Sequence, residues 1–288
     1  MTEARGLVTV HAHPDDESHF GAGTVARYHH AGVRTVLVTC TDGSLGHNQN
    51  LEVGPIGDLP GIVEIRRKEL EEAAAIVGYD EVVRLEYPDS GPVRLRMDER
   101  SPESFARIPL DGPVRRVVEV LRRERPQVVV TYADDQRAYA HPDHLRAHEV
   151  AVAAFDAAGD PAAYPEAGPA WQPLKLYYVI SSGQRRRAIN ARYAELGKAP
   201  ASTDTEIELA PDEGRVTTRV DVTPFAHVWI DGVRAHRCQL GPARAAILDL
   251  PDAVVAEIYG EEDYILARDL TTSDGPVGAE TDLFARVG

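Results

Sequence analysis

An apolar run, Leu7 to Val10, passes without a break into His11-Ala12-His13-Pro14-Asp15-Asp16-Glu17, and that junction constrains the whole chain. The run reads as a buried strand. A carboxylate buried without a cation costs several kcal/mol, so adjacent aspartates at the mouth of a core strand imply something positive beside them. The most economical candidate is a divalent metal held by His13 and Asp16. Pro14 fixes its own φ and biases His13 away from helix, so the chain leaves the sheet in an extended turn. Successive side chains then point different ways, and one aspartate can bind metal while the other faces water at the metal.

The rest of the pattern alternates. Gly21 to His30 reads as a helix, and the β-branched run Arg34 to Thr41 as the second strand. A Gly-, Asn- and Pro-rich stretch, Asp42 to Pro60, is expected to be a long loop over the strand ends, where long loops are usually functional. Helical spacing over Ile62 to Val77 ends at Gly78. A strand at Val82 to Tyr87, a loop from Pro88 to Asp111, a helix at Val114 to Arg125 and a strand at Gln127 to Tyr132 follow. Pro142 suits the first turn of a helix running to about Ala158. Beyond it, Lys175 to Ile180 reads as a strand, Gln184 to Leu196 as a helix and Arg215 to Val222 as a strand. A helix from Pro224 to about Gln239 and a possible strand at Asp263 to Arg268 complete the pattern. The alternation demands a mainly parallel sheet with helices on both faces, a Rossmann-like α/β fold. One domain spanning 1–288 is expected, its core at about 1–180 with 181–288 packed on it.

Charge narrows the partners. With 31 basic and 46 acidic residues the formal net charge is −15, which argues against nucleic acid or an anionic membrane and for a small neutral or zwitterionic substrate. Cys40 and Cys238, the two cysteines, suggest no disulfide framework and fit a reducing cytoplasm. No apolar run approaches the ~20 residues of a bilayer span, and no leader is evident. The oligomeric state is not legible.

Two His-Pro-Asp tripeptides, His13-Pro14-Asp15 and His141-Pro142-Asp143, each follow a strand, and each is completed by one more possible ligand, Asp16 or His144. Ligands from the carboxyl ends of two strands converge at a crevice there. His13, Asp16 and His144 then form a two-histidine, one-carboxylate set, suited to one catalytic zinc per chain and also to Fe2+. Helix capping would explain one aspartate but not the whole cluster. Asp15 is the candidate general base, and His141 is placed to hydrogen-bond the oxyanion of a tetrahedral intermediate. Tyr139 assists or simply packs in its loop. Glu17 is expected to orient a ligand from behind. The remaining histidines, His148 and His236 among them, read as surface or satisfied core residues.

A rival signal is Gly21-Ala22-Gly23-Thr24-Val25-Ala26, a G-x-G-x-x-A string with Asp42 about 20 residues further on, as in dinucleotide-binding oxidoreductases. Its position is wrong, because the fingerprint glycines must lie directly after the strand and here His11 to Phe20 intervene.

Ala12-His13-Pro14-Asp15-Asp16-Glu17 together with His141-Pro142-Asp143-His144 resembles the PIG-L or LmbE-like zinc deacetylases, which cleave acetamides on glucosamine-type sugars. Within that family the chain is most similar to the amidases and deacetylases of mycothiol metabolism. The likeness extends through Glu64-Ile65-Arg66-Arg67, Asp89-Ser90-Gly91 and Phe105 to Leu110. It implies His13, Asp16 and His144 as zinc ligands, Asp15 as base, and His141 and Tyr139 as transition-state helpers. By the same likeness Arg66 and Asp89 would contact sugar or inositol hydroxyls. Phe20 stands where the amidase carries a lysine and His47 where both relatives carry a glutamate, so both are candidate substrate contacts. Asp134 to Ala138 lacks the paired glycines expected before the tyrosine. The activity expected is zinc-dependent hydrolysis of the N-acyl glucosamine amide of a mycothiol S-conjugate or a related thiol-sugar conjugate, with deacetylation of N-acetylglucosaminyl-inositol as the alternative. A catalytically silent sugar-binding relative is the reading from another class.

Overall fold

Strand β1 (Gly6–His11) is buried along its whole length because it is flanked on both sides, by β2 (Arg34–Thr41) and β4 (Val128–Tyr132), both parallel to it. The computed structural model describes residues 5–55, 57–241, 248–271 and 279–287. Seven strands form one sheet in the order β3-β2-β1-β4-β5-β7-β6, with β3 at Glu81–Tyr87, β5 at Lys175–Ile180, β6 at Thr218–Asp221 and β7 at Glu261–Asp269. The first five are parallel, whereas β7 runs antiparallel to β5 and β6.

Side-chain alternation along β1 and β2 divides the core. Val8, Val10, Val36 and Val38 face helices α4 (Asp111–Glu124) and α5 (Pro142–Ala158), meeting Val117, Leu121, Ala147 and Val150. Leu7 and Leu37 face the other way, against Val25 of α2 (Ala22–His30), Leu70 of α3 (Ile62–Val77) and Val228 of α8 (Ala226–Ala235). Helices therefore cover both faces, as the alternation requires. Each such aliphatic side chain contributes about 1.5–3 kcal/mol by burial. Helix α3 stops at Gly78, whose φ of 94° lets its N–H turn back to the Ala74 carbonyl.

The carboxyl half departs from expectation in detail. The helix expected from Pro224 to Gln239 is three pieces: a 3-10 turn at Thr223–Phe225, α8, and a second 3-10 turn at Arg237–Gln239. It breaks at His236, whose backbone leaves the helical region while its ring is drawn to Glu17. The strand expected from Arg215 begins at Thr218, because Asp212 caps a 3-10 turn at Glu213–Arg215 through the Gly214 N–H. Helices α6 (Gly183–Glu195), α7 (Asp204–Glu208) and α9 (Asp252–Tyr259) fill this half, and α1 (Asp16–His19) lies inside the His/Asp motif.

The rival dinucleotide signal is resolved by Glu262 on β7. Its carboxylate accepts the Gly23 and Thr24 N–H groups, each at 3.0 Å, so the first turn of α2 is already occupied by an internal anion where a pyrophosphate would have to sit. Gly23 is needed for packing, since a Cβ there would lie 2.8 Å from Val222. Gly23→Ala should lower unfolding free energy by about 1–3 kcal/mol through overpacking. Urea titration of the two proteins checks this.

Candidate active site

The sheet reverses direction of travel at β1: the chain winds outward to β2 and β3, then crosses to β4 on the other side of β1. The carboxyl ends of β1 and β4 therefore open a crevice between them, the place where α/β sheets bind ligands. The turn after β1 is pinned there by Thr41, which donates its N–H and Oγ to the Ala12 carbonyl, and by Tyr132, the last residue of β4, whose hydroxyl accepts the Ala12 N–H at 2.7 Å. After β4 the chain returns through Tyr139 and His141, which N-caps α5 with Pro142 at the first helical position.

His13, Asp16 and His144 meet in this crevice, all buried. Asp16 lies between the two rings, Oδ2 at 3.2 Å from His13 Nδ1 and Oδ1 at 3.3 Å from His144 Nε2. Asp16 Oδ2 also accepts the His13 N–H and the Tyr132 hydroxyl, both at 2.7 Å. Behind His13, Nε2 faces Asp143 Oδ2 at 3.3 Å. Asp143 is held in turn by the Ser90 N–H at 2.9 Å and the Ser90 hydroxyl. Burial works against a charged His13, yet Asp143 and Asp16 outweigh it and hold its pKa well above the usual value. Burial likewise opposes ionisation of Asp16, and the His144 and His13 rings overcome it, so its carboxyl stays well below the usual range. The crevice thus stabilises positive charge at its centre. Nitrogen and carboxylate donors converge there, and His13 with His141 and His144, or with Asp89 and Asp143, lies close enough to hold a metal ion. His141 adds a third ring, its donor atom within 4.8 Å of those of His13 and His144.

Asp15 does not join this set. Its Oδ1 is 3.1 Å from Arg66 Nη2, and the same guanidinium donates to the Pro14 and Gly43 carbonyls at 3.0 and 3.1 Å. Arg66 is buried, so its first task is to hold Asp15 and the turn that carries it. His141 accepts the Asp143 N–H at Nδ1, which leaves the proton of the neutral ring on Nε2. Burial first, then the neighbouring His13 and His144, push its pKa down to about 3. Tyr139 is more than half exposed, its ring 6.1 Å from that of His141 and 5.5 Å from that of His144. Asp89 is buried with Oδ1 on the Gly91 N–H, and burial, with Asp143 nearby, raises its pKa. Phe20 packs edge-on to Tyr132 and His144, with centroids at 5.3 and 5.9 Å, so it walls the donor set. His47 stands at the exposed rim, 2.6 Å from Asp58. All of these line one cleft of about 630 Å³, within the range of small-molecule sites.

Glu17 is a correction. It turns away from the donor set and is fully buried against the Ser18 hydroxyl and His236 Nε2, each at 2.6 Å from its Oε1. A carboxylate with that burial needs a cationic partner more than the metal ligands need another orienting group. His236 meets the need: burial disfavours its charge, but Glu17 prevails and raises its pKa. Residues that pattern reasoning passed over include Tyr132, Ser90 and Asp143. Asp143 carried a signal, because it repeats the place of Asp15 in the second His-Pro-Asp. His148 is a satisfied residue, its Nδ1 2.9 Å from the Tyr132 carbonyl.

His144→Ala should lose most of a bound divalent metal, about one ion per chain in the unmodified protein. Asp143→Asn should keep the ion but weaken it about 10–100-fold, the usual effect of removing an orienting carboxylate. Competition with a chelator of known affinity measures both. Full affinity in His144→Ala would remove that residue from the donor set.

Comparison with known proteins agrees with this architecture. The family profile described as PIG-L, GlcNAc-PI de-N-acetylase, matches residues 8–155. A mycothiol S-conjugate amidase from Streptomyces coelicolor is 35% identical, the alignment covering 100% of this chain and 99% of that protein. A 1D-myo-inositol 2-acetamido-2-deoxy-alpha-D-glucopyranoside deacetylase from Thermobifida fusca is also 35% identical, over 98% of this chain and 99% of its own length. Among solved structures, the N,N'-diacetylchitobiose deacetylase of Pyrococcus horikoshii superposes with a TM-score of 0.63 at 19% identity, covering 95% of this chain and 88% of that one, and so shares the fold. With the family profile matching across the first His/Asp motif and the second, and relatives aligned end to end, the chain belongs to the PIG-L, GlcNAc-PI de-N-acetylase, family.

Proposed function

We propose that the protein is a zinc-dependent amidase acting on the N-acyl amide of a glucosamine-type sugar, with mycothiol S-conjugates as its substrates. The observation that carries this reading is the placement of Asp15: a carboxylate outside the donor set, adjacent in sequence to Asp16 and clamped by Arg66 inside the cleft. His13, Asp16 and His144 would hold the ion. Zinc, or Fe2+ in its place, would supply a Lewis acid and lower the pKa of water at the site to about 7.

The residues then divide the chemistry. Asp15 accepts the proton of the attacking water, and Arg66 keeps the carboxylate aimed. His141 offers its Nε2–H to the oxygen of the tetrahedral intermediate, with the Tyr139 hydroxyl beside it. When the C–N bond breaks, Asp15 returns its proton to the departing sugar amine. Asp89, with its raised pKa, and the Arg66 side of the cleft would meet the sugar hydroxyls. Phe20 narrows the space next to His144, and His47 lies at the entrance.

Deacetylation of acetylglucosaminyl-inositol is the second reading, favoured by the similarity to the Thermobifida fusca deacetylase. The zinc-loaded protein should show the higher kcat/KM on the S-conjugate. Faster turnover of the acetylated sugar would replace the amidase reading by the deacetylase one, and tight binding of both without turnover would overturn both. Asp15→Asn should retain its metal while kcat falls about 10²–10⁴-fold, the contribution expected of a general base. Parallel loss of metal would instead make Asp15 a ligand.

A further inference from the structure

We infer that the arm of the cleft between α6, α8 and α9 seats the substituent on the acyl side of the scissile amide, and that Trp229 and Tyr259 select a bulky apolar or aromatic group there. This rests on the amidase reading and names a part of the site that reading leaves open.

The cleft runs in two directions from the β1–β4 crevice, and its two arms differ in chemistry. Toward β2 and β3 it is lined by Arg66, Asp89, His47, Gln49 and Gln239, groups that pair with hydroxyls. Toward β5 and β7 it is lined by Val179, Ile180, Ile189, Trp229 and Tyr259. Trp229 and Tyr259 stack at 4.1 Å with an interplanar angle of 18°, both half-buried. The Tyr259 hydroxyl is tied to that of Tyr193 at 2.7 Å, so its polar end is already engaged. His19 meets Trp229 with centroids 6.3 Å apart, and the next residue, Phe20, meets His144 at 5.9 Å. A lane of aromatic rings therefore leads from the donor set to the stacked pair.

Several charged groups along this arm are turned to other tasks, and Glu261 is exposed. Glu262 serves the first turn of α2, Asp263 pairs with Arg219 at 2.9 Å, and Glu206 caps α7. Arg185 donates to the Ile258 and Glu261 carbonyls, and Arg186 to the Ser181 carbonyl and the Ser202 hydroxyl. An amide substrate extends both ways from its carbonyl carbon. The polyhydroxylated sugar matches the polar arm, which leaves the acyl portion for the aromatic one. An acetyl group offers no flat surface to stack on the Trp229–Tyr259 pair. A thioether substituent that carries a flat apolar group does, and such groups gain most from a stacked aromatic wall.

The test compares S-benzyl and S-methyl forms of the same conjugate. The ratio of their kcat/KM values should fall about 10–100-fold from native protein to Trp229→Ala, chiefly through KM for the S-benzyl form. Binding supplies an independent readout in unmodified protein. The chain has two tryptophans, and Trp171 lies before β5, bonded to the Pro126 carbonyl and stacked under Arg125, away from the cleft. Adding the acyl-side hydrolysis product of the S-benzyl conjugate should therefore change tryptophan emission, and Trp229→Phe should abolish the change. Equal kcat/KM for the two conjugates in native protein, an unaltered ratio in Trp229→Ala, or no emission change at saturating product would overturn the inference while leaving the amidase reading in place. Cleavage of acetylglucosaminyl-inositol with neither conjugate hydrolysed would overturn both.

Discussion

A single buried carboxylate sets the terms of this site. Asp16 accepts the His13 N–H, the Tyr132 hydroxyl and the His13 ring on one oxygen and faces His144 with the other. Leaving any of these groups without its partner would cost the desolvation of a charge, so the turn after β1 and the end of β4 have one relative position. The order continues outward: Ser90 holds Asp143, Asp143 faces His13, and His13 faces Asp16. Alternating acid and imidazole fix the donors before any cation arrives, which is the preorganisation a metal hydrolase requires.

Much of this was legible in the chain. Two His-Pro-Asp strings after two strands singled out residues that the fold brings together, buried, in one crevice, because so much charge at strand ends has no packing purpose. The β/α alternation gave the parallel part of the sheet through hydrophobic periodicity, a local signal. Where the reading failed, the deciding partner was remote. Glu17 looks like a companion of Asp16, and only the fold brings His236 to it across 219 positions. Arg66 reads as a substrate contact by likeness, and no local signal carries the further task its guanidinium has in holding Asp15 and two carbonyls. The continuous helix expected through His236 failed for the same reason, since local propensity cannot anticipate a buried tertiary ion pair. Helix α7 was a different miss: Thr203 and Glu206 form a capping box, a signal present in the sequence.

The sheet topology also separates the proposed metal site from the two arms of the cleft. The proposed donors His13, Asp16 and His144 come from the turn after β1, from α1 and from the start of α5, at the middle of the sheet, while the two arms of the cleft draw on its opposite halves. The polar arm borrows α3 and the loops after β2 and β3. The aromatic arm borrows β5 and the helices that follow it. Substitution within the aromatic arm leaves the Asp16 arrangement untouched, whereas Arg66 on the polar side also holds Asp15 and the turn that carries it.

The contact between Glu262 and α2 has a wider meaning for the architecture. The match to the family profile ends at residue 155, before β5, β7 and β6 add their edges to the sheet. A chain cut there would leave β4 with a naked edge and the first turn of α2 with two unanswered amides. Bare strand edges recruit other chains. The distal half therefore covers that edge and answers those amides, so it completes the sheet that carries the crevice as well as lining part of the cleft.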